Sequence, residues 1–424
     1  MPTTAPRART PLTPEQRASF TAALLGWTMD AFDYFIVVLV YADISKDFGV
    51  SLTDMTFLTT VTLAMRPVGA FLFGMWADRA GRRIPLLVDV AFYSVVGFLC
   101  AFAPNYSVLL VLRLLYGIGM GGEWGLGAAL AMEKVPTERR GFFSGVLQQG
   151  YALGYLLAAA VYLLITNLTD WGWRGLFAFS LLPALVTLLI RMRVKESEVW
   201  ERTQARLRDR NRSPLAVLKR KDVLRRLVYL VILMTAFNWM SHGTQDIYPT
   251  FLKEGLKFSP NTALVIAIIY NCGAICGGSL FGPLSQRFGR RIVIVVACVI
   301  GLPLIPIFAL STSLGMVCLG SFLMQLVVQG AWGVIPAHLT ELSPPEIRGL
   351  FPGVTYQLGN LIAAFNLPIQ QSLAKSHSYA FALTVTMIPV FVAVGVLTWF
   401  GKEARHVDFA AEAAAAGSER QTVP

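Results

Sequence analysis

Residues 74–83 read GMWADRAGRR, and residues 282–291 read GPLSQRFGRR. Both segments fit the pattern G-x-x-x-D/Q-R-x-G-R-R, and they lie 208 residues apart. In each segment an apolar run ends in a glycine turn that is flanked by arginines, which is typical of a helix that leaves a membrane at its surface. The pattern therefore predicts a membrane protein that is built from two similar halves.

The same offset continues without a gap beyond these segments. It pairs Gly122, Trp124, Gly125, Glu133, Pro136, Glu138, Arg140, Gly141, Phe143, Gly145, Val146 and Gln149 with Gly330, Trp332, Gly333, Glu341, Pro344, Glu346, Arg348, Gly349, Phe351, Gly353, Val354 and Gln357. Chance does not preserve the same spacing between so many matching residues over such a distance. Two parallel repeats that enclose a site at the membrane midplane are typical of secondary transporters.

Composition supports a membrane protein. Of the 424 residues, 55% are hydrophobic and only 14% are charged, whereas soluble domains carry about 25% charged residues. A helix needs about 20 apolar residues to cross a bilayer. Twelve stretches qualify: 18–41, 55–77, 84–103, 106–132, 142–166, 175–191, 226–250, 262–285, 292–310, 314–338, 351–372 and 379–400. We therefore expect an all-α membrane protein with twelve transmembrane helices in two six-helix pseudo-repeats.

The charge distribution predicts the topology. With both termini placed in the cytoplasm, 29 of the 36 Lys and Arg residues fall on the cytoplasmic side, five fall outside, and Arg66 and Arg113 lie within spans. This bias indicates a multi-pass protein of the cell (inner or plasma) membrane whose basic segments face anionic lipid. The expected units are a bundle at 1–191, a basic cytoplasmic linker at 192–225, a second bundle at 226–401 and a disordered cytoplasmic tail at 402–424.

Other classes of site find no support in the sequence. The five cysteines all lie in apolar runs, so we expect buried small hydrophobes and neither a disulfide framework nor a metal site. No stretch fits a nucleotide-binding loop or a catalytic constellation. We expect a monomeric protein that is not an enzyme, has no cofactor, and does not bind nucleic acid.

Ionisable residues inside the spans mark the candidate site, because each costs at least about 2.5–3.5 kcal/mol in a bilayer and usually lines a pathway. They are Asp30, Asp33, Arg66, Asp89, Arg113, Glu123, His242 and Asp246. The repeat does not preserve these charges, since it places Asn238 opposite Asp30 and Ala274 opposite Arg66. The sequence thus predicts a symmetric cage with asymmetric charges, as a polar substrate requires.

The seventh span carries the densest polar cluster. At 100° per residue its polar side chains fall within an arc of about 140°. These side chains are Asn238, Ser241, His242, Gln245 and Asp246. His242 and Asp246 are one turn apart and can share a hydrogen bond, and a histidine beside a carboxylate can change protonation near neutral pH. This face predicts a proton or substrate site, with polar contacts between helices as the alternative.

The remaining charges leave alternatives open. Arg113 can hold a carboxylate through its planar guanidinium or form an internal salt bridge. Both roles are equally open for Arg66. Asp30 and Asp33 are candidate proton sites or partners of these arginines. Glu123 is a second candidate proton carrier.

The G-x-x-x-D-R-x-G-R-R segment resembles the cytoplasmic signature of the major facilitator superfamily, and the resemblance covers the whole chain. It implies a lock between the two halves that is closed in the outward-open state. The implied gating residues are Gly74, Asp78, Arg79, Gly81, Arg82 and Arg83.

Residues 238–250, with the pattern N-x-x-S-H-x-T-Q-D-x-x-x-T, are similar to the hallmark of the lactate/pyruvate:proton symporters in the sialate:proton symporter family. Residues 27–35, 147–156 and 356–360 resemble the same family. The resemblance implies roles in substrate binding or proton coupling for Asn238, His242, Asp246, Arg113 and Gln357. Ser241, Gln245 and Asn360 are further candidate substrate-binding residues. Residues 121–125, GGEWG, look more like the sialic-acid and aromatic-acid relatives.

The resulting expectation is proton-coupled uptake of a small monocarboxylate, with L-lactate first and pyruvate second. The alternative within transport is a sialic-acid or aromatic-acid symporter. A non-transporting sensor on the same fold is the rival from another class, but the segment 402–424 is short for a signalling extension.

Overall fold

The computed structural model describes residues 11–192, 194–208 and 214–415, and every regular element within them is a helix. The first half contains α1 (Pro14–Leu39), α2 (Leu52–Ala80), α3 (Arg83–Cys100), α4 (Tyr106–Lys134), α5 (Arg140–Gln148 and Gly150–Leu168) and α6 (Gly172–Met192). The second half contains α7 (Lys221–Gln245), α8 (Pro260–Phe288), α9 (Arg290–Leu310), α10 (Leu314–Trp332 and Ile335–Leu342), α11 (Leu350–Ala363 and Asn366–Ser376) and α12 (Tyr379–Phe400). The expected all-α architecture is confirmed.

Local signals account for the ends of these helices. Thr13 and Ser51 begin α1 and α2 with reciprocal side-chain and backbone hydrogen bonds to the third helical residue, which satisfies amides that a helix start leaves free. Gly81 and Gly289 end α2 and α8 at φ angles of 100° and 109°, where a side chain would be strained. We call the face that carries these two glycine turns the basic face, and the opposite side the open face.

Eleven helices among the described residues are long and apolar enough to cross a membrane, whereas the sequence predicts twelve spans. The difference lies at 351–372, which forms two shorter helices that separate at Ala364 and Phe365. This stretch carries the amide side chains of Gln357, Asn360, Asn366 and Gln370, which lower its hydropathy. The chain still crosses between the two faces there, because α10 and α12 end and begin on opposite sides of it.

The two halves meet through close helix contacts. The second-half helix α11 packs along α2, and the first segment of α5 packs along α8 in the equivalent position. A Cβ atom built on Gly74 would lie 2.7 Å from the Leu350 backbone, and one on Gly125 would lie 2.5 Å from Gly353. Glycines at these positions let the helix backbones approach, as small residues do in membrane helix interfaces.

Two expectations need correction, and the linker proves to be partly helical. The linker 192–225 contains helices at Glu198–Arg208 and Pro214–Leu218. The tail is not disordered over its described part, since Phe409–Ala415 is helical and Phe409 is only 2% exposed; residues 416–424 lie outside the described residues. Cys100 and Cys298 are buried as expected, but Cys272 and Cys276 are exposed, because they lie on the outer side of α8.

Candidate functional site

A cavity of about 480 Å³ lies between the two halves and opens on the open face. Its walls come from α1, α2 and α5 of the first half and from α7, α8, α10 and α11 of the second. A smaller chamber of about 40 Å³ continues it toward the basic face. We call these spaces the upper cavity and the lower chamber. Their shared wall residues are Tyr34, Leu63, Gln148, Tyr151, His242, Gln329 and Asn360.

Arg66 and Asp30 form a buried ion pair on the first-half wall of the lower chamber. Arg66 Nη2 donates to Asp30 Oδ2 over 2.8 Å. Arg66 is 5% exposed and Asp30 is 1% exposed, so water screens the pair little. The pair is nevertheless incompletely satisfied, because Arg66 Nε and Asp30 Oδ1 have no hydrogen-bond partner among the described residues.

His242 and Asp246 face this pair from the second half. His242 Nδ1 lies 3.1 Å from Asp246 Oδ2, and His242 Nε2 lies 3.0 Å from Oδ1 of Asn360 on α11. About a quarter of each side chain in the pair is exposed, 22% for His242 and 29% for Asp246. Protons from the open face can therefore reach the pair, as the sequence-based prediction requires.

The other polar residues of α7 are tied to α10. Gln245 Nε2 donates to Ser241 Oγ over 2.9 Å, and Gln325 of α10 donates to Thr244 over 3.1 Å. Asn238 lines the lower chamber and donates to the Met234 carbonyl of its own helix over 2.8 Å. These bonds hold the polar face of α7 toward the cavity and away from lipid.

An aromatic floor closes the lower chamber toward the basic face. Tyr356 of α11 packs against Trp124 and Trp332, with ring centroids 4.4 and 5.8 Å apart. Trp27 of α1 stacks on Tyr151 at 6.0 Å. The indole N–H groups of Trp27, Trp124 and Trp332 have no acceptor among the described residues. The floor therefore joins both halves and adds hydrogen-bond donors beside Arg66.

Arg113 lines neither the upper cavity nor the lower chamber. Its guanidinium lies 4.1 Å above the Tyr116 ring, and Tyr116 donates to Asp33 Oδ2 over 3.0 Å. Arg113 and Asp33 are thus buried together inside the first half. In this conformation Arg113 packs toward Tyr116 and away from both spaces, so the substrate contact that the sequence predicts for it stays a prediction.

Glu123 is also buried away from the two spaces. It pairs with Arg191 near the end of α6, and Arg191 further donates to the Ala22 carbonyl over 3.2 Å. Glu123 thereby ties α4 to α1 and α6.

Gln357 lines neither space either, and both polar atoms of its buried side-chain amide lack a partner among the described residues.

The signature segments hold the basic face closed. Asp78 accepts from the backbone N–H groups of Gly349 and Leu350 of the second half, over 2.8 and 2.9 Å, and from Arg82 over 2.6 Å. A carboxylate at these free amides also complements the positive end of α11. Arg79, in contrast, is exposed.

The equivalent contact links the halves in the reverse direction. Gln286 Oε1 accepts from the Gly141 amide over 3.0 Å, and Glu341 pairs with both Arg290 and Arg140, over 2.9 and 3.2 Å.

Acidic residues also cap the starts of α3 and α9 on this face. Glu196 accepts from the backbone of Arg82 and Arg83, over 2.8 and 3.0 Å, and Glu403 accepts from Arg291 over 3.0 Å. Burial alone would raise the pKa of Glu403, but the N–H groups of Arg291 and Arg405 and the nearby His338 lower it below its usual value.

With the basic face closed and the cavity open on the other side, the structure is in an outward-facing conformation if the basic face is cytoplasmic.

Sequence reasoning missed most of the cavity walls. Tyr34, Tyr151 and Tyr356 look like ordinary span residues in an apolar pattern, and only the three-dimensional packing assigns them to the cavity. Gln148 and Gln329 carried a usable signal, since amides inside a span need a polar neighbour.

The comparisons with known proteins agree with this architecture. Residues 18–226 match the family "Sugar (and other) transporter", and residues 231–422 match "Major Facilitator Superfamily". The "Carboxylic acid transporter protein homolog" of Saccharomyces cerevisiae is 30% identical over 92% of this chain and 68% of its own length. The "Sialic acid transporter NanX" of Escherichia coli is 28% identical over 91% of this chain and 93% of its own.

A solved structure of the proton:xylose symporter XylE, bound to 6-bromo-6-deoxy-D-glucose, shares the fold. Its TM-score is 0.75 at 20% identity, over 92% of this chain and 97% of that one. The signature repeat, the two six-helix halves and these matches lead to one family, so the chain belongs to the major facilitator superfamily and is a multi-pass membrane transporter.

Proposed function

We propose that this transporter couples the uptake of a small monocarboxylate to protons, with L-lactate as the first candidate substrate and pyruvate as the second. The observation that carries the proposal is the placement of a cation and a titratable side chain on opposite walls of the lower chamber. Arg66 lies on the first-half wall and His242 on the second-half wall. A carboxylate between them would bridge the two halves that must move.

Arg66 is the proposed carboxylate anchor. It uses Nη2 for Asp30, and its Nε has no partner within the described part of the chain, so its planar group retains donors for a second carboxylate. The indoles of Trp27 and Trp332, which also lack partners there, line the same chamber. At about 40 Å³ the chamber holds about three water-sized probes, which is the heavy-atom count of a carboxylate group.

His242 and Asp246 form the proposed proton site. Arg66 and Asp30 neutralise each other, so an incoming anion adds one negative charge to the chamber. A proton on the His242–Asp246 pair cancels that charge before the halves move. Neutrality matters because an uncompensated charge is costly in a low-dielectric interior.

Two helices are interrupted beside the site, at positions where bending would close the open face. α7 ends at Gln245, just above His242, and a further helical turn follows at Tyr248–Thr250; α11 separates at Ala364, one turn above Asn360. Sharp bends in helices occur where the hydrogen-bond ladder is interrupted. We propose that these segments bend over a bound substrate while the locks around Asp78 and Glu341 release.

The named relatives support this proposal at the level of substrate class. One is called a carboxylic acid transporter homolog, another a sialic acid transporter, and the structural neighbour is a proton:xylose symporter. Carboxylates and protons are thus both represented among proteins of similar sequence or fold.

The test is uptake of radiolabelled L-lactate into proteoliposomes with and without an imposed pH gradient. We expect accumulation only when the outside is more acidic. His242→Ala and Asp246→Asn should abolish this uptake yet retain lactate–lactate counterflow, because exchange does not require release of the proton.

Asn238→Ala is the matched comparison on the same helix face, since it removes a polar group that cannot titrate. It should weaken uptake and counterflow together. If the His242 and Asp246 variants also lose both activities in parallel, the pair belongs to the binding site, and the proton site moves to Asp30.

A second candidate substrate is a larger acid, either aromatic or a sialic acid. The observation in its favour is the upper cavity, whose volume of about 480 Å³ far exceeds lactate and whose walls carry Tyr34, Phe35, Tyr155 and Tyr270. Benzoate and sialic acid should be compared with pyruvate as competitors of lactate counterflow. Stronger inhibition by a larger acid than by pyruvate would favour this second candidate.

A further inference from the structure

Asn360 contacts the proposed proton site from outside its helix. Its side-chain oxygen lies 3.0 Å from Nε2 of His242, and the residue borders both the upper cavity and the lower chamber. It is 5% exposed. Its amide nitrogen has no acceptor among the described residues, so it remains available to an acceptor in the chamber.

The protonation of the histidine–aspartate pair and the orientation of the Asn360 amide determine each other. An amide oxygen only accepts, so His242 Nε2 must carry a hydrogen when it faces Oδ1 of Asn360. A neutral imidazole has one N–H, which would leave a bare Nδ1 lone pair 3.1 Å from the Asp246 carboxylate. Two acceptors at this distance repel, so a second proton lies between them. An Asn360 amide whose oxygen faces Nε2 therefore corresponds to the proton-loaded pair.

Loss of one proton reverses the requirement at Asn360. The remaining hydrogen stays between His242 Nδ1 and Asp246, where it still bonds a carboxylate, and Nε2 becomes an acceptor. The Asn360 amide must then turn its nitrogen toward the ring and its oxygen toward the chamber. In this step an imidazolium–carboxylate pair of zero net charge becomes a neutral imidazole, a carboxylate and one proton. The proton passes to water in the chamber.

We propose that this amide turn couples the proton to the substrate: Asn360 offers the carboxylate a donor when the pair is loaded, and an acceptor that repels the carboxylate when the pair is unloaded. This inference rests on the proposed function and adds a positioning role for Asn360. Proton and substrate would then bind together and leave together, as symport requires.

Other charged and titratable groups surround the His242 ring, and they are the same in the wild type and in Asn360 variants. The charged and titratable groups on the walls next to His242 are Asp246 on α7, Asp30 and Tyr34 on α1, Arg66 on α2, Tyr151 on α5 and Tyr356 on α11. None of them forms a hydrogen bond with Nε2, whose only partner among the described residues is Asn360. Substitution of Asn360 therefore alters one side of the ring selectively.

The first experiment measures lactate binding to the purified protein as a function of pH. In Asn360→Asp the carboxylate only accepts, which retains the hydrogen on Nε2, so the pH of half-maximal binding should rise by about one unit or more. In Asn360→Leu this acceptor is lost, and the half-maximal pH should fall. Asn167→Leu is the matched control, because the Asn167 amide donates to Leu163 of its own helix and lines neither the upper cavity nor the lower chamber; its half-maximal pH should equal that of the wild type.

Shifts of opposite sign cannot arise from a merely structural role. If both Asn360 variants lose affinity uniformly and retain the wild-type half-maximal pH, the inference is overturned. If lactate uptake by the wild type ignores an imposed pH gradient, the proposed function fails instead, and the two failures are thus distinguishable.

A second measurement needs no Asn360 variant to be active. The chain has four histidines, so the imidazole ¹⁵N signals of His242 can be assigned by comparison with a His242→Gln protein. Above the half-maximal pH we expect the wild-type ring to carry its single hydrogen on Nδ1. A ring protonated only on Nε2 under these conditions would overturn the proposal.

Discussion

Two arginines lie within the spans of the first half, and their surroundings differ. Arg66 borders the lower chamber, whereas Arg113 does not, although Nε of each lacks a partner among the described residues. Arg113 is packed over Tyr116 at 4.1 Å and is 2% exposed. Only Arg66 can reach a carboxylate in the chamber without a prior rearrangement of the first half.

Arg66→Lys should therefore weaken lactate binding by about tenfold or more. Lysine keeps the charge but loses the planar fork that can serve Asp30 and a substrate carboxylate together. The measurement is the dissociation constant of lactate in detergent, with Arg113→Lys as the matched comparison. A larger loss of affinity in Arg113→Lys than in Arg66→Lys would contradict the assignment and return the anchor to Arg113.

At the residue scale the sequence indicated the contact between His242 and Asp246 but not which arginine borders the cavity. The one-turn spacing of His242 and Asp246 allows their contact, and the structure has it at 3.1 Å. Whether Arg66 or Arg113 faces the cavity depends on the rotation of α2 and α4 about their axes. Both helices are apolar on most sides, so no polar face in the sequence reveals that rotation.

The C-terminal segment is the element that the sequence misjudged most. The Phe409 ring lies between two guanidinium groups, 3.8 Å from Arg140 of the first half and 4.0 Å from Arg348 of the second. Glu412 accepts from Arg348 over 2.7 Å, and the Val407 carbonyl accepts from Arg140 over 2.9 Å. The segment thus bridges the halves where the basic face is closed.

Phe409→Ala should favour opening of the basic face. Each cation–π contact is worth about 0.5–2 kcal/mol, so their loss should shift the balance of conformations by roughly tenfold. Spin labels at the exposed positions Arg79 and Arg287 would report the separation of the two turns. Phe400→Ala, which removes an 82% exposed ring at the end of α12, is the control and should leave the distance distribution unchanged. An unchanged distribution in Phe409→Ala would show that the segment does not hold the face closed.

The prediction of elements succeeded where periodicity and length decide them. All twelve apolar stretches fall largely on helices, but the sequence did not predict the interruptions at Gln149, at 246–247, at Gly333 and at Ala364. An interruption inside a span depends on contacts with neighbouring helices, as where Gly333 lies against Gly278 and Gly145. The tail was misjudged because seven of its residues form a short alanine-rich helix that is anchored by one aromatic ring.

At the scale of the whole molecule, the signature repeat and the charges have separate functions. The repeat supplies two equivalent locks on the basic face, at Asp78 and at Gln286, which allow the halves to separate symmetrically. The chamber charges lack this symmetry, since Arg66 and Asp30 belong to the first half, and His242 and Asp246 to the second. A substrate held between them is sensed by both halves at once.

This arrangement predicts electroneutral transport. Arg66 and Asp30 cancel, and the proton on His242–Asp246 cancels the charge of one carboxylate, so the loaded carrier moves no net charge. A membrane potential acts on net charge, at about 2.3 kcal/mol per charge per 100 mV, which equals roughly a 50-fold accumulation. A potassium diffusion potential of 100 mV imposed with valinomycin at equal pH should therefore leave lactate accumulation unchanged. Accumulation that approaches 50-fold would instead require a second proton per lactate, and Asp30 would be the first residue to test as its carrier, because it is the remaining carboxylate on the chamber wall.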